Sequence, residues 1–322
     1  MAAKDGPATG VRGLTPRGNN VWRRALLVGK RELLRPPLKA AIRLGVGNEY
    51  AWAMWLHLGR LGKLPNLWRP KTFNEKLLTK ALRDRRAFLI ETADKVAVRE
   101  YVTEKVGADI LVDQLYVGND LDDFDVDSMD EPFVAKAAHG SGPEWIRLVP
   151  DPALCDVTEL RQAAHRWSQS VLVSDTHEWW YRHIPRRVIV ERFLGDPAVG
   201  PPADYKLWVV CGQVSLIQVD VGRGGEHYRD HYSPNWERFA VQIRYPNLPN
   251  PLPRPATLDR MLEVATKLGT ETEFVRVDLY EVGGAVKFGE MTHCPAGGTE
   301  PFGDPQFEAW LSSKWVFGLS RR

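Results

Sequence analysis

Cysteine is scarce in this chain: Cys155, Cys211 and Cys294 are widely spaced, odd in number and never form a CxxC pair. That excludes a disulfide framework and a zinc knuckle, and it fits a reducing cytosol. No run of 18 apolar residues occurs, which excludes a hydropathic transmembrane helix. Residues 1–20, MAAKDGPATGVRGLTPRGNN, lack the basic–apolar–small order of a secretory signal and read as a polar, Gly-rich flexible tail. Neither GxGxxG nor a Walker A sequence is present, so the Rossmann and P-loop readings lose their main support. Net charge is nearly absent at +2, so no nucleic-acid partner is expected from the molecule as a whole.

What is present is a globular composition: 43% hydrophobic, 26% charged and 12 tryptophans that a disordered chain would not carry. Charge is unevenly placed. Residues 1–48 hold ten Lys/Arg against Asp5 and Glu32, a local balance of +8 that leaves the remainder at −6. From Val21 to Val46 leucines and basic residues alternate at helical spacing, interrupted at Pro36-Pro37, which predicts two short amphipathic helices. Such helices either pack on the body with a solvated basic face, the reading favoured here, or lie on an anionic membrane surface. Helical patterns continue through GNEYAWAMWLHLGRLGKLPN and KTFNEKLLTKALRD. DKVAVREYVTEKVG predicts a helix ended by Gly107. NDLDDFDVDSMDEP lacks the central Gly and terminal Glu of an EF-hand and reads as a solvated connection. Strands, helices and Gly-turned hairpins then alternate, which predicts an α+β fold with antiparallel sheets.

Several constellations carry chemistry. VAKAAHGSGPEW puts Lys136 on a strand before the small-residue loop His139, Gly140, Ser141 and Gly142, whose amides could approach phosphate oxygens. The plainer reading is a surface lysine before a turn. Lys95 opens a helix, where the dipole favours anions, or is an ordinary first-turn residue. RRVIVERFLG is an apolar strand broken by Glu191; it reads either as an edge strand offering Glu191 and backbone amides to an adenine ring, or as a buried strand with one solvent-facing acid. The Cys211-Gly212 turn closes a hairpin whose open end could bring Lys206 and Arg223 together. They read either as two gathered cations that call for an anion or, equally, as two flexible surface cations. In EFVRVDLYEVGGAVKFGEMT, residues two apart face one way, so Arg276 and Asp278 share a face, and the return strand brings Glu290 beside Asp278. Adjacent carboxylates repel unless a cation lies between them, and hard oxygens beside a nucleotide suit Mg²⁺, with Mn²⁺ as a substitute. The plainer reading is two separately solvated acids on an exposed hairpin face, and Arg276 beside them favours the metal.

In this order the pieces resemble the ATP-grasp superfamily, and within it the TupA-like branch, named for a protein of teichuronopeptide assembly. The resemblance runs from about Arg69 to Phe302 and is carried by RPKTFNEKL, DKVAVREYV, FVAKAAHGSG, RRVIVERFL, DYKLWVVCGQVSLIQVDVGR, FVRVDLYEVGGAVKFGEMT and GGTEPF. It implies two α+β lobes whose antiparallel sheets sandwich ATP, beside a small, mostly helical N-terminal region. The implied division is a tail over 1–20, a basic helical region over 21–90, one lobe over 91–190 and the other over 191–322. By the same resemblance Lys95, Lys136 and the loop 139–142 would contact the nucleotide. Glu191, Arg192, Phe193 and Leu194 would form the adenine-contacting linker, and Lys206 and Arg223 would face the phosphates and the reacting acyl group. Arg276, Asp278 and Glu290 match the RxD…ExN pattern of D-alanine–D-alanine ligases, where the Arg steadies the tetrahedral intermediate and the acids and Asn bind magnesium. Thr292 departs from that Asn, which bears on the second metal position. Arg192 departs from a commonly acidic residue.

The implied reaction joins a small-molecule carboxylate to an amine through an acylphosphate, at the expense of ATP, in cell-surface polymer or specialised-metabolite synthesis in the cytoplasm. Gly297, Gly298, Thr299 and Glu300, in the loop CPAGGTEPF, would seat the substrates. Two rival readings are a glycosyltransferase of polysaccharide assembly, whose nucleotide-sugar donor also suits paired acids, and a nucleotide-binding module without chemistry.

Overall fold

The computed structural model describes residues 36–41, 48–170, 177–222 and 225–318. The expected helix before Pro36 and the expected position of Arg223 lie outside the described residues. The second basic helix is seen over residues 36–41, beginning at the proline pair. This suits proline, which is tolerated in a first helical turn because its missing N–H has no partner there. Among the described residues, no helix is long and apolar enough to cross a membrane.

Two antiparallel sheets organise the chain. The first comprises β1 (Gln114–Gly118), β2 (Phe133–Ala137), β3 (Ile146–Val149) and β4 (Val188–Arg192), in the order β1-β4-β2-β3. Alternation along β2 sends Phe133, Ala135 and Ala137 to one face, with Val188 and Val190 of β4. There they meet Leu160, Ala163, Ala164 and Trp167, the apolar stripe of the helix Val157–Gln169. The opposite face receives Lys136 and Glu191. The acidic segment is not wholly solvated: Leu121, Phe124 and Val126 anchor it in this core while Asp122, Asp123 and Asp125 stay exposed. The reason is the short period of its apolar residues, which the many carboxylates obscure in the sequence.

The second sheet comprises β5 (Asp204–Val210), β6 (Gln213–Val221), β7 (Tyr228–Tyr232), β8 (Phe274–Val282) and β9 (Ala285–Thr292), in the order β7-β6-β5-β8-β9. One face is apolar throughout: Leu207, Val209, Ile217, Val219, Val275 and Val277 pack on the helix Leu258–Leu268. The other face is divided. At one end Trp208, Val210 and Phe274 pack with Phe73, whose ring lies 5.5 Å from Trp208 and 5.2 Å from Trp315. Along the same face follow Asp204, Lys206, Arg276 and Asp278.

The N-terminal helical region is therefore not merely alongside. The helix Phe73–Arg83 starts with a capping box in which Thr72 accepts from the Glu75 amide and Glu75 accepts from that of Thr72. It then buries almost its whole length. Lys76 donates to the carbonyls of Ser312 and Trp315 at 2.7 Å each, and Asn74 donates to that of Glu300 at 2.7 Å.

Candidate active site

The hairpin β8–β9 sets the register: Arg276 opposes Thr292, and Asp278 opposes Glu290. The ladder slips after Asp278, where Gly289 is the extra residue of a bulge. A Cβ at Gly289 would lie 2.9 Å from the Tyr280 ring and 3.0 Å from the Asp278 carbonyl, so the bulge requires glycine. Lys206 of β5 opposes Asp278 from the other side. The side chains meet accordingly. Arg276 donates through Nε and Nη2 to the two Asp278 oxygens at 2.6 Å each, and through Nη2 to Glu290 at 3.2 Å and Thr292 at 3.0 Å. Lys206 donates to Asp278 at 2.5 Å and to Asp204 at 2.6 Å. Thr292 donates to Glu290 Oε1 at 3.2 Å.

Asp278 is thus sealed under two cations, whereas the Glu290 side chain remains 37% exposed. Burial pushes the Glu290 carboxyl up, but Lys95, Arg276, Lys206 and Lys136 together hold it down at about 2. Two carboxylates and a hydroxyl on opposed positions are the hard oxygen set that a divalent cation takes. The donor set fits, with Glu290 as its open member.

The first sheet presents the complementary group. Lys136 pairs with Glu191 at 2.5 Å, and Arg99 pairs with the same carboxylate at 3.2 Å. Glu191 is therefore neither solvent-facing nor on an edge: β4 lies between β1 and β2, paired on both sides. The amides of Arg192 and Phe193 already donate to the carbonyls of Asp113 and Pro132, at 3.0 Å each. Leu194 follows them, half-buried, and the Arg192 side chain turns outward to Asp113.

Lys95 sits in the turn before the helix Val98–Val106 rather than in its first turn, and donates to the Gly140 carbonyl at 2.5 Å. This ties the lysine to the loop 139–142. Gly140 lies under Trp145, which a Cβ would approach to 2.6 Å, and Gly142 adopts φ 108°. Ser141 is exposed. His139 departs from the expected phosphate contact: its ring is buried, edge-on to Trp145 at 5.3 Å, with Nε2 3.1 Å from the Trp167 carbonyl. It closes the end of the helix Val157–Gln169, whose last carbonyls lack helical partners.

The loop after β9 is held internally. Ala296, Gly297 and Gly298 run consecutively in the left-handed region, at φ 51°, 60° and 64°. Thr299 is fully buried and donates to the Ala296 carbonyl at 2.9 Å, so its hydroxyl serves the loop. Glu300 is buried with its amide and carbonyl both bonded to Asn74.

Four further residues, not singled out from the sequence, join the site. Arg60 donates to the Ala296 carbonyl at 2.9 Å and to Thr299 at 3.0 Å. Arg99 reaches Glu191. The Tyr181 hydroxyl lies against Ser141, and burial raises its pKa well above that of an ordinary phenol. Burial also pushes the neighbouring Glu178 carboxyl up to about 7. Only Arg99, four residues after Lys95 and in the first turn of the helix that follows it, had a spacing that could have suggested it.

No curated protein is significantly similar in sequence to this chain. Among solved structures it is similar to D-alanine–D-alanine ligase from Bacillus anthracis, at 13% identity and TM-score 0.42, over 70% of this chain and 66% of that one. It is also similar to D-alanyl-alanine synthetase A from Vibrio cholerae, at 10% identity and TM-score 0.41, over 69% and 59%. A third is the L-amino acid ligase from Bacillus licheniformis, at 15% and 0.37, over 65% and 42%. The chain spans less than two thirds of the length of each. Family membership rests instead on sequence: residues 75–316 match the model of the TupA-like ATP-grasp proteins, and the chain belongs to that family.

Proposed function

We propose that the chain is an ATP-dependent carboxylate–amine ligase, forming an amide bond in cell-surface polymer or specialised-metabolite synthesis. The observation that carries this reading is the convergence of cations on the Glu290 carboxylate from two sides. Lys136 on the first sheet and Lys95 in a turn beside it form one side; Lys206 and Arg276 on the second sheet form the other, with Arg276 3.2 Å from the carboxylate. A metal-bound nucleoside triphosphate matches that arrangement, because its phosphates answer the lysines and its cation answers the carboxylates.

In the proposed reaction a substrate carboxylate oxygen attacks the γ-phosphorus and ADP leaves. An amine nitrogen then attacks the acyl carbon, phosphate departs with the C–O electron pair, and the amine loses a proton. Such chemistry depends on positioning and charge neutralisation. Lys136 and Lys95 cover phosphate oxygens, and the Leu194 amide is available to the adenine edge. Glu290, Asp278 and Thr292 would hold Mg²⁺, which when bound draws charge from the β and γ oxygens. Arg276 would steady the oxyanion of the tetrahedral intermediate, where one donor is typically worth about 3–4 kcal/mol. The loop 296–299, braced by Arg60, forms the wall against which the substrates sit.

The test is ADP release from ATP and Mg²⁺ with pooled carboxylic acids and amines, followed by product mass. Glu290→Gln and Arg276→Ala should each abolish release in a folded protein. Wild-type turnover in either variant overturns the reading, and nucleotide-sugar cleavage without ADP release would favour a glycosyltransferase.

A further inference from the structure

Away from the lysines of the candidate active site lies a second cationic cavity. It has a volume of about 230 Å³ and is lined by Lys80, Arg83, Asp84, Arg85, Arg86, Glu273 and Phe317. That is room for roughly eight water molecules at liquid density.

Lys80 is the feature that needs explaining. It is only 5% exposed, and its ammonium has no hydrogen-bond partner among the described residues. Burying an ammonium without partners is costly, so such groups are ordinarily paired or serve a ligand. Burial brings it down to about 8, which leaves it protonated at neutral pH.

The acids nearby, Asp84 and Glu273, favour the charged lysine from a distance, but neither accepts a hydrogen bond from it. Asp84 accepts both Nε and Nη2 of Arg86, at 2.9 and 2.6 Å. Glu273 accepts from the Trp315 indole at 3.2 Å and the Gly318 amide at 3.0 Å. Of the four cations that line the cavity, Arg86 is paired with Asp84 and Arg85 with Glu49, which leaves Lys80 and Arg83 without an ion-pair partner of their own among the described residues. A basic last helical turn alone would leave its lysine in solvent, where it completes the dipole at no desolvation cost.

We infer that this cavity is a binding site for a small multivalent oxyanion, with Lys80 at its floor and the arginines at its rim. The shared chemistry is a phosphate or a polycarboxylate, held by charge-assisted hydrogen bonds. It is separate from the nucleotide site proposed above and does not depend on that reading.

The test titrates the full chain with inorganic phosphate and, separately, with citrate, by calorimetry at constant ionic strength. At least one probe should bind in the wild type and in Lys136→Met, and should weaken roughly tenfold or more in Lys80→Met. Phosphate alone binding assigns a phosphorylated ligand, and citrate alone a carboxylate one. Without a probe, Lys80→Met should raise the melting temperature, because it removes a buried ammonium that has no hydrogen-bond partner among the described residues. Arg83→Gln, on the exposed rim, gives a milder weakening and serves if Lys80→Met does not fold. Failure of both probes to bind the wild type, unchanged binding in Lys80→Met, or loss of binding in Lys136→Met overturns the inference.

Discussion

The two sheets present opposite charge to the space between them. On the side of the first, Lys95, Arg99 and Lys136 face the single acid Glu191, a surplus of two positive charges. On the second, Lys206 and Arg276 face Asp204, Asp278 and Glu290, a surplus of one negative charge. A simple anion would satisfy the first and be repelled by the second; a bare cation would do the reverse. The pair is complementary to a ligand carrying both, as a metal–phosphate complex does. The acids also differ in kind: Asp278 is a sealed structural charge, and Glu290 is the exposed one that can change partners.

The largest expected effect breaks the sealed charge. Asp278→Asn leaves Arg276 and Lys206 buried with their shared anion removed, and should cost about 3–5 kcal/mol in denaturant unfolding. Glu191→Gln, whose partners are partly exposed, should cost less than half of that. Equal losses would show that the two sheets hold their charges alike. A second, intermediate effect separates the roles by ligand. Lys136→Met should weaken binding of ADP about tenfold or more with or without Mg²⁺, whereas Glu290→Gln should remove the Mg²⁺ dependence and leave metal-free ADP binding near wild type. Calorimetry with both forms of ADP checks this, and metal dependence retained in Glu290→Gln would end the proposed division.

The smallest effect is in acid. Glu290 has a folded pKa of about 2 against 4.5 for the free side chain. Its charge therefore contributes stability fully above about pH 4.5, and the contribution fades as pH falls through about 2. Glu290→Gln should flatten the wild-type loss of stability across that window, measured by chemical unfolding at stepped pH.

Much of this was legible locally. The helices over Asn48–Leu61 and Phe73–Arg83 follow their apolar spacing, and the hairpins at Cys211-Gly212 and Gly283-Gly284 follow their turn residues. The central position of β4 was not legible, because an apolar run reports burial and not which strands lie beside it. Nor was the inward turn of His139. Its glycine neighbours suggested an open loop, while Trp145 and a helix end distant in sequence decide where the ring lies.

By itself the sequence determined that Arg276 and Asp278 share one face of their strand and Glu290 and Thr292 one face of theirs, since pleat period is local. The two-residue turn alone would set Glu290 opposite Val277, and the bulge at Gly289 brings it opposite Asp278. Only the tertiary structure decided that Arg276 and Lys206 close over Asp278, that Glu290 is left open, and that Lys136 arrives from the other sheet with Lys95 from a turn beside it. Those are choices among partners far apart in sequence. Packing on the two cores makes them, and no local period encodes them.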